Sequence, residues 1–188
     1  SIYVGGPNDV SIYRWDFVYD RSIVQNQIYG VDFDVTGNVY MGDYNSTRVW
    51  TYDHVGTSLG YFNSVNSVSR ALGNVTDVVF DYAGRYYVSD YLLHRIVKYD
   101  RDGTFMGVIG GISSSSNGYV RNPRGLVVDK ANNVYVADYN NHRIVKFDDA
   151  MNYVEHWGGP DAGSENNQFD NPTDVAIDDR GNLYVADR

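Results

Sequence analysis

The sequence lacks cysteine, has only four prolines in 188 residues and contains no apolar run long enough to cross a membrane. The absence of cysteine excludes disulfides and thiolate metal sites, and it leaves the redox compartment undetermined. Because a membrane-spanning helix needs about 20 apolar residues, no membrane insertion is predicted. The first residues carry no basic region followed by an apolar stretch, so no signal peptide is visible in this sequence, and a cleaved one stays open.

Basic residues are also few. The chain has 15 Lys and Arg against 24 Asp and Glu, which gives a formal net charge of −9. Nucleic-acid binding draws much of its affinity from Lys and Arg that contact phosphate groups. An acidic chain with scattered basic residues therefore argues against DNA, RNA and anionic membranes as partners.

Tyrosine and glycine are abundant, with 18 and 19 residues, and much of this content belongs to an internal repeat. The copies cover residues 38–53, 85–100 and 133–148, with partial copies at 2–16 and 182–188. Arg48, Arg95 and Arg143 occupy the same place in the three complete copies, at spacings of 47 and 48 residues. A fixed period of this length indicates a repeat architecture.

Each period contains four short strand-like segments. An apolar segment ending in Asp precedes each full copy, at 30–34, 77–81 and 125–129, and a fourth segment follows, as at 153–157. Asp-x-x-Gly turns lie between several of them, as from Asp34 to Gly37. No segment has helical apolar spacing over three turns. The pattern predicts an all-β fold, a β-propeller of four-stranded antiparallel blades with 17 strands in this chain.

The copies resemble NHL repeats. The hallmarks are Asn-Pro before the first strand (122–123 and 171–172), the Tyr-Val-Ala-Asp run at 135–138 and the Asn-His-Arg-Ile-Val-Lys-Phe-Asp run at 141–148. The resemblance covers residues 27–188, and 1–26 more loosely. It implies blades at 27–73, 74–121 and 122–170, with partial blades at 1–26 and 171–188. Because such propellers commonly have six blades, we expect an excerpt of a larger ring, or a ring completed by self-association or by another chain.

The loop after the second strand of each blade is the candidate binding surface. Tyrosine offers a large contact area at low entropic cost, and loops on a rigid scaffold often carry function. The candidate binding residues are Tyr44, Tyr91, Tyr139, Asn140, Asn141, Arg121 and Arg124. The alternative is that the tyrosines pack on the next blade and the preceding Asp residues cap the turn.

Residues that recur in every blade are predicted to be architectural, because a catalytic residue is normally needed once. These are Asp43, Arg48, Asp90, His94, Arg95, Asp138, His142 and Arg143. We expect each Asp to pair with its Arg across a hairpin. No catalytic set, metal site or cofactor motif is recognised.

Two sequons, at Asn45 and Asn74, are candidate glycosylation sites and would place the protein outside the cell, with the cytoplasm as the alternative. The predicted function is a non-catalytic propeller scaffold that binds a protein, peptide or glycan. The alternative is a metal-dependent propeller enzyme, similar to peptide-amidating lyases or lactonases, whose site lies partly outside this stretch. Since the copies differ most in the inter-blade loops around 61–74, 111–122 and 158–171, a local function is expected there.

Overall fold

The computed structural model describes residues 2–5, 9–13, 19–24, 27–63 and 71–188. The other residues of the predicted partial blade 1–26, and residues 64–70 of the first long loop, lie outside the described residues. The described strands are β1 (Ile2–Gly5), β2 (Asp9–Tyr13), β3 (Tyr19–Val24), β4 (Ile28–Phe33), β5 (Val39–Asp43), β6 (Arg48–Tyr52), β7 (Ser58–Phe62), β8 (Val75–Phe80), β9 (Tyr86–Asp90), β10 (Arg95–Tyr99), β11 (Phe105–Gly110), β12 (Pro123–Val128), β13 (Val134–Asp138), β14 (Arg143–Phe147), β15 (Tyr153–Gly158), β16 (Asp174–Ile177) and β17 (Leu183–Ala186). One 3-10 turn, Tyr139–Asn141, lies between β13 and β14. Across these ranges, no helix has the length and apolarity to cross a membrane.

The strands form antiparallel sheets in which neighbours in sequence are neighbours in space. Three sheets have four strands each, β4 to β7, β8 to β11 and β12 to β15, while β1 to β3 and β16 with β17 form smaller sheets. Opposite residues in the second and third strands, such as Asp90 and Arg95, face each other across the hairpin. The prediction of an all-β propeller with four-stranded blades is confirmed.

The sheets stack face to face, and the hydrophobic core lies between them. The first strands β4, β8, β12 and β16 contact one another in succession and form the inner wall. One core cluster joins Tyr87 and Ile96 of one sheet to Leu126, Val136 and Phe147 of the next. Strands β9, β10 and β13 are buried along their whole length. A strand with both faces covered needs a continuous apolar run, which explains why these segments do not alternate.

The turns at one end of the blades depend on residues with left-handed backbone. Gly37 and Gly84 have φ values of 86° and 80°, and each donates its backbone N–H to the carbonyl of the Asp three residues earlier. Asn132 and Met151 occupy the corresponding place in other turns, with φ values of 61° and 66°. The turn geometry thus persists in copies that lack the glycine, although it is less favourable for a side chain there.

The hairpins define two ends of the structure. We call the end with these Asp-initiated turns the lower rim. The upper rim is the opposite end, where the second strand of each blade finishes and the first strand begins, as the pairing of Asp90 with Val75 shows. The candidate tyrosines lie at the upper rim.

Candidate binding site

Four tyrosines from three consecutive blades form a row along the upper rim. Tyr44, Tyr91 and Tyr139 each follow the second strand of their blade, and Tyr29 projects from β4. The ring centroids lie 5.0 Å apart for Tyr29 and Tyr44, 5.9 Å for Tyr44 and Tyr91, and 6.5 Å for Tyr91 and Tyr139. We call these four residues the tyrosine row. Burial, followed by the neighbouring tyrosines Tyr91 and Tyr29, raises the pKa of Tyr44, so its hydroxyl stays protonated at neutral pH.

Arg124 of β12 lies against the tyrosine row. Its guanidinium carbon is 3.9 Å from the centre of the Tyr139 ring and 5.7 Å from that of Tyr91. These distances fit cation–π contacts. The Nε of Arg124 is buried and has no hydrogen-bond partner among the described residues. The structure therefore brings together four of the predicted binding residues, Tyr44, Tyr91, Tyr139 and Arg124.

Tyr29 and Arg124 border a recess of about 520 Å³ between the first strands of four blades. We call it the channel recess. Its wall carries the carboxylates of Asp32, Asp77 and Asp174. A volume of this size is typical of small-molecule sites.

The carboxylates on the wall link neighbouring blades. Asp32 accepts hydrogen bonds from the backbone N–H of Phe33 at 2.8 Å and, across the blade junction, from that of Phe80 at 2.7 Å. Asp77 accepts in the same way from Val78 at 2.9 Å and from Leu126 at 2.8 Å in the next blade. Asp174 accepts from Val175 at 2.8 Å through Oδ1.

Burial raises the pKa of all three carboxyl groups, and their backbone hydrogen bonds oppose the shift. The pKa of Asp77 is raised well above its ordinary value, mainly by burial, with smaller contributions from the charges of Asp174 and Asp32. The three carboxyl groups are thus close enough to influence one another. The lining of the channel recess thus combines three carboxyl groups with Arg124.

Glycines on the inner wall make room for these carboxylates. A Cβ on Gly30 would lie 2.2 Å from Asp77 Oδ1 and 2.5 Å from Asp77 Cα, and a Cβ on Gly125 would lie 2.1 Å from Asp174 Oδ1. Real Cβ atoms do not approach other atoms this closely. The wall therefore needs glycine wherever the next blade presents an Asp.

The recurring Asp and Arg residues fix the blades and their loops. Arg95 Nε lies 2.9 Å from Asp90 Oδ2, and Arg143 Nε lies 2.7 Å from Asp138 Oδ2. Arg143 also donates to the carbonyls of the loop before its blade, at Ser115 and Tyr119, with distances of 2.8 and 3.0 Å. These arginines therefore anchor the loop that connects two blades.

Arg48 does not form the ion pair that the sequence predicts. Asp43 lies opposite Arg48 in the hairpin, but its Oδ2 accepts the indole N–H of Trp50 at 3.1 Å and the hydroxyl of Ser46. The Arg48 guanidinium stacks instead over the Tyr61 ring, 4.1 Å from its centre. The other blades have valine where this blade has Trp50, so the competing donor is absent there.

The two histidines of the repeat connect blades. His94 Nδ1 accepts the backbone N–H of Asn122 at 3.1 Å, and His142 Nδ1 accepts that of Asn171 at 3.1 Å. Burial, followed by the charge of Arg121, lowers the pKa of His94. In the part of the chain that the structure describes, no three His, Asp or Glu side chains are grouped as metal ligands would be.

The remaining predicted binding residues lie beside the row. Asn140 donates to Asn122 Oδ1 at 2.7 Å, and buried Asn141 donates to Asp138 Oδ2 at 2.8 Å and to the Ser114 carbonyl at 2.9 Å. Arg121 is exposed, and its backbone N–H donates to Asp138. Asn140 and Asn141 thus take part in the blade framework.

The two sequon asparagines differ in their surroundings. Asn45 is exposed at the upper rim next to Tyr44. Asn74 is partly buried, and its Nδ2 donates to the Tyr44 carbonyl of the preceding blade. Asn122 and Asn171 make the same kind of bond, to the carbonyls of Tyr91 and Tyr139. Asn74 therefore has a structural role that Asn45 lacks.

Tyr29 and the wall carboxylates were not recognised as site residues from the sequence. They lie on the first strands, whereas the predicted tyrosines and asparagines lie in the loops after the second strands. Aligning the first strands by the Asp that follows each of them would have placed Tyr29 in register with Arg124, and Asp77 in register with Asp174. Such an alignment is the signal that could have found them.

Comparisons with known proteins agree with this architecture. The family model described as NHL repeat matches residues 120–147, and no curated protein matches the chain. A structural genomics protein of unknown function from Bacteroides thetaiotaomicron is similar, with a TM-score of 0.75 and 19% identity over 97% of this chain and 52% of that one.

An auxiliary nutrient binding protein from the same organism gives a TM-score of 0.72 at 16% identity, over 95% of this chain and 50% of that one. A catalytically inactive virginiamycin B lyase from Staphylococcus aureus with quinupristin gives 0.65 at 13%, over 85% and 48%. At these identities the likeness shows the fold alone, and the chain spans about half the length of each of these three structures. Residues 120–147 thus match an NHL repeat, and the chain has the fold of about half of a β-propeller.

Proposed function

We propose that this chain is a non-catalytic binding module that takes its ligand at the tyrosine row, over the mouth of the channel recess. The observation that carries the proposal is the row of Tyr29, Tyr44, Tyr91 and Tyr139 across three consecutive blades, with the guanidinium of Arg124 against the rings of Tyr139 and Tyr91. Tyrosine and arginine dominate the energetics of many binding surfaces. A row of rings on a rigid scaffold needs little ordering when a ligand arrives.

The bonding of the polar groups favours binding over catalysis. Asp32 and Asp77 use both carboxylate oxygens on backbone N–H groups, and His94 and His142 hold the junctions between blades. These groups therefore already have structural partners. One propeller of similar fold is described as an auxiliary nutrient binding protein. The likeness to a virginiamycin B lyase is also one of fold alone.

A screen of the labelled 188-residue chain on glycan and peptide arrays tests the proposal. The Tyr44→Ala/Tyr91→Ala variant should lose most of the retention that the parent chain shows, because it removes the middle of the tyrosine row. Tyr82→Ala is the matched control, since Tyr82 is 67% exposed in a lower-rim turn. Equal retention of the parent chain and the double variant, both still folded by circular dichroism, would refute the proposed site.

We extend the proposal to an extracellular location, which the exposed Asn45 sequon supports. Secretion of the full-length protein with a glycan on Asn45, found by mass spectrometry of its peptides, is the expected result. Retention in the cytoplasm would contradict the proposed location and would leave the binding site unaffected.

A further inference from the structure

We propose that the ligand of this site carries a single carboxylate which Arg124 binds, and that it is the uronic acid residue of an acidic glycan. The inference rests on the proposed function and adds the chemical class of the ligand.

Among the described residues, Arg124 has no anionic partner. No hydrogen bond or ion pair connects its guanidinium to a described residue, and its buried Nε has no acceptor. The carboxylates of Asp32 and Asp77 on the recess wall accept backbone N–H groups through both oxygens. A partly buried guanidinium normally has a hydrogen-bonding partner, so the geometry leaves a place for an anion brought by the ligand.

The tyrosine row holds the guanidinium in position. One face of Arg124 lies against the Tyr139 ring at 3.9 Å, with Tyr91 at 5.7 Å. Stacking of this kind fixes the plane of the group and leaves the N–H donors at its edge free to point at a ligand. The planar fork of arginine matches a carboxylate, which it can bind through two parallel hydrogen bonds.

The surroundings favour one negative charge over several. Three carboxyl groups line the same recess, and the chain carries a net charge of −9. A polyanion would meet repulsion from both, whereas a single carboxylate can pair with Arg124 at a smaller electrostatic cost.

The rest of the recess suits a polyhydroxylated ligand. Asp174 Oδ2 makes no hydrogen bond with the described residues and can accept one from a ligand hydroxyl. Tyr29 borders the recess and is 58% exposed, so its ring offers a flat surface against which a sugar ring can pack. An apolar peptide side chain would instead desolvate the wall carboxylates without replacing their hydrogen bonds with water.

Calorimetric titration with methyl β-D-glucuronide, methyl β-D-glucoside and an acetylated dipeptide with a free C-terminus tests this assignment. We expect the glucuronide to bind about tenfold more tightly than the neutral glucoside, since the two differ in the group that meets Arg124. Arg124→Gln should remove this preference. Arg124→Lys should remove most of it, because lysine keeps the charge and loses the fork. Arg101→Gln, at an exposed lower-rim residue, is the control and should leave the preference unchanged.

The outcomes separate this inference from the proposed function. Equal binding of glucuronide and glucoside, or a preference that survives in a folded Arg124→Gln variant, would refute the carboxylate assignment while leaving the tyrosine row as a binding site. Stronger binding of the dipeptide than of the glucuronide would refute the sugar assignment. Loss of the preference in both Arg124 variants, with unchanged thermal unfolding, would support it. The array experiment tests the proposed function separately. That function fails if the Tyr44→Ala/Tyr91→Ala variant is retained on the arrays as strongly as the parent chain.

Discussion

Asp149→Ala should destabilise the protein more strongly than the half-exposed position of Asp149 indicates. Asp149 lies in the lower-rim turn of the β12–β15 blade, and its side chain is 46% exposed. It receives Lys98 Nζ from the preceding blade at 2.8 Å, and the Lys98 side chain is only 2% exposed. Arg85, also from the preceding blade, lies 2.6 Å from the same carboxylate.

The magnitude follows from what the substitution leaves behind. Removing one partner of a buried ion pair leaves the other charge uncompensated, which typically costs about 3–5 kcal/mol. Lys98 keeps its hydrogen bond to the Asp149 backbone carbonyl at 2.6 Å, and Arg85 keeps its pair with Asp81 at 2.7 Å. Because water also reaches the Asp149 side, we expect a loss of about 2–3 kcal/mol in the free energy of unfolding.

The pKa of Asp149 gives this loss a pH dependence. Burial alone would raise the pKa, but hydrogen bonds from Lys98 and Arg85, together with their charges, lower it below the ordinary value of 3.8. A carboxyl group with a depressed pKa in the folded state stabilises the protein above its unfolded pKa and loses that effect as the pH falls through the folded one. The difference between the parent chain and Asp149→Ala should therefore be full at neutral pH and shrink below pH 3.8.

Urea unfolding at pH 7 measures the effect. Asp179→Ala is the matched control, because Asp179 pairs with Lys130 across a blade junction at the same 2.8 Å while both side chains are exposed, at 94% and 65%. That variant should change stability by less than about 0.5 kcal/mol. Adding Lys98→Met to Asp149→Ala should recover part of the loss, since the buried charge is removed. Equal stabilities of Asp149→Ala and Asp179→Ala, or no recovery in the double variant, would refute the reasoning.

Three further predictions concern the junctions between blades. Because the pKa of His94 is lowered in the fold, the stability of the protein should decline as the pH falls through the ordinary histidine value of 6.5. In the His94→Asn variant, whose asparagine suits the left-handed backbone at this position, the unfolding temperature should decline less over the same pH range. Gly30→Ala should lower the free energy of unfolding in urea by about 1–3 kcal/mol, because its Cβ meets the backbone of Asp77. Gly107→Ala should lower it less, because its Cβ meets the end of the flexible Met151 side chain, and equal losses would contradict this reasoning. Asn74→Ala should cost about 1 kcal/mol through loss of its inter-blade hydrogen bond, and Asn45→Ala, at an exposed residue, should be neutral in the same assay.

The fold could be predicted from the sequence because each blade repeats the same local chemistry. Continuous apolar runs mark strands covered on both faces, and Asp followed three residues later by Gly marks a turn that needs left-handed backbone. The same reasoning failed at Arg48, because its expected partner depends on a single neighbouring side chain. Trp50 donates to Asp43 and takes the place that arginine has in the other blades. A repeat predicts what its copies share, and a local replacement can redirect a contact without changing the strand.

The candidate site could be predicted in part, mainly where it coincides with the repeat, although Arg124 was also among the predicted residues. Tyr44, Tyr91 and Tyr139 were found because their loop recurs, and the structure places them in one row. The channel recess depends on which first-strand residues meet across blades, and this follows from how the sheets stack. Sequence spacing within one blade does not contain that information.

One position of the first strand shows how the repeat and the site are divided. Tyr29, Thr76 and Arg124 are the second residues of β4, β8 and β12, and Thr173, immediately before β16, is in register with them. Thr76 bonds to the Pro123 carbonyl at 2.9 Å, and Thr173 bonds to the Ala186 carbonyl at 3.0 Å, so both threonines are committed to the framework. Tyr29 and Arg124 occupy the same place in the alternate blades, and all four residues border the recess. The residue that follows alternates between blades in the same way, with glycine after Tyr29 and Arg124 and aspartate after the two threonines. Where a blade carries glycine, the next blade's carboxylate enters the space, and the large residue beside that glycine lies at the recess. The wall chemistry therefore repeats every two blades, and the residues that depart from the common repeat are those from which a ligand site can be built.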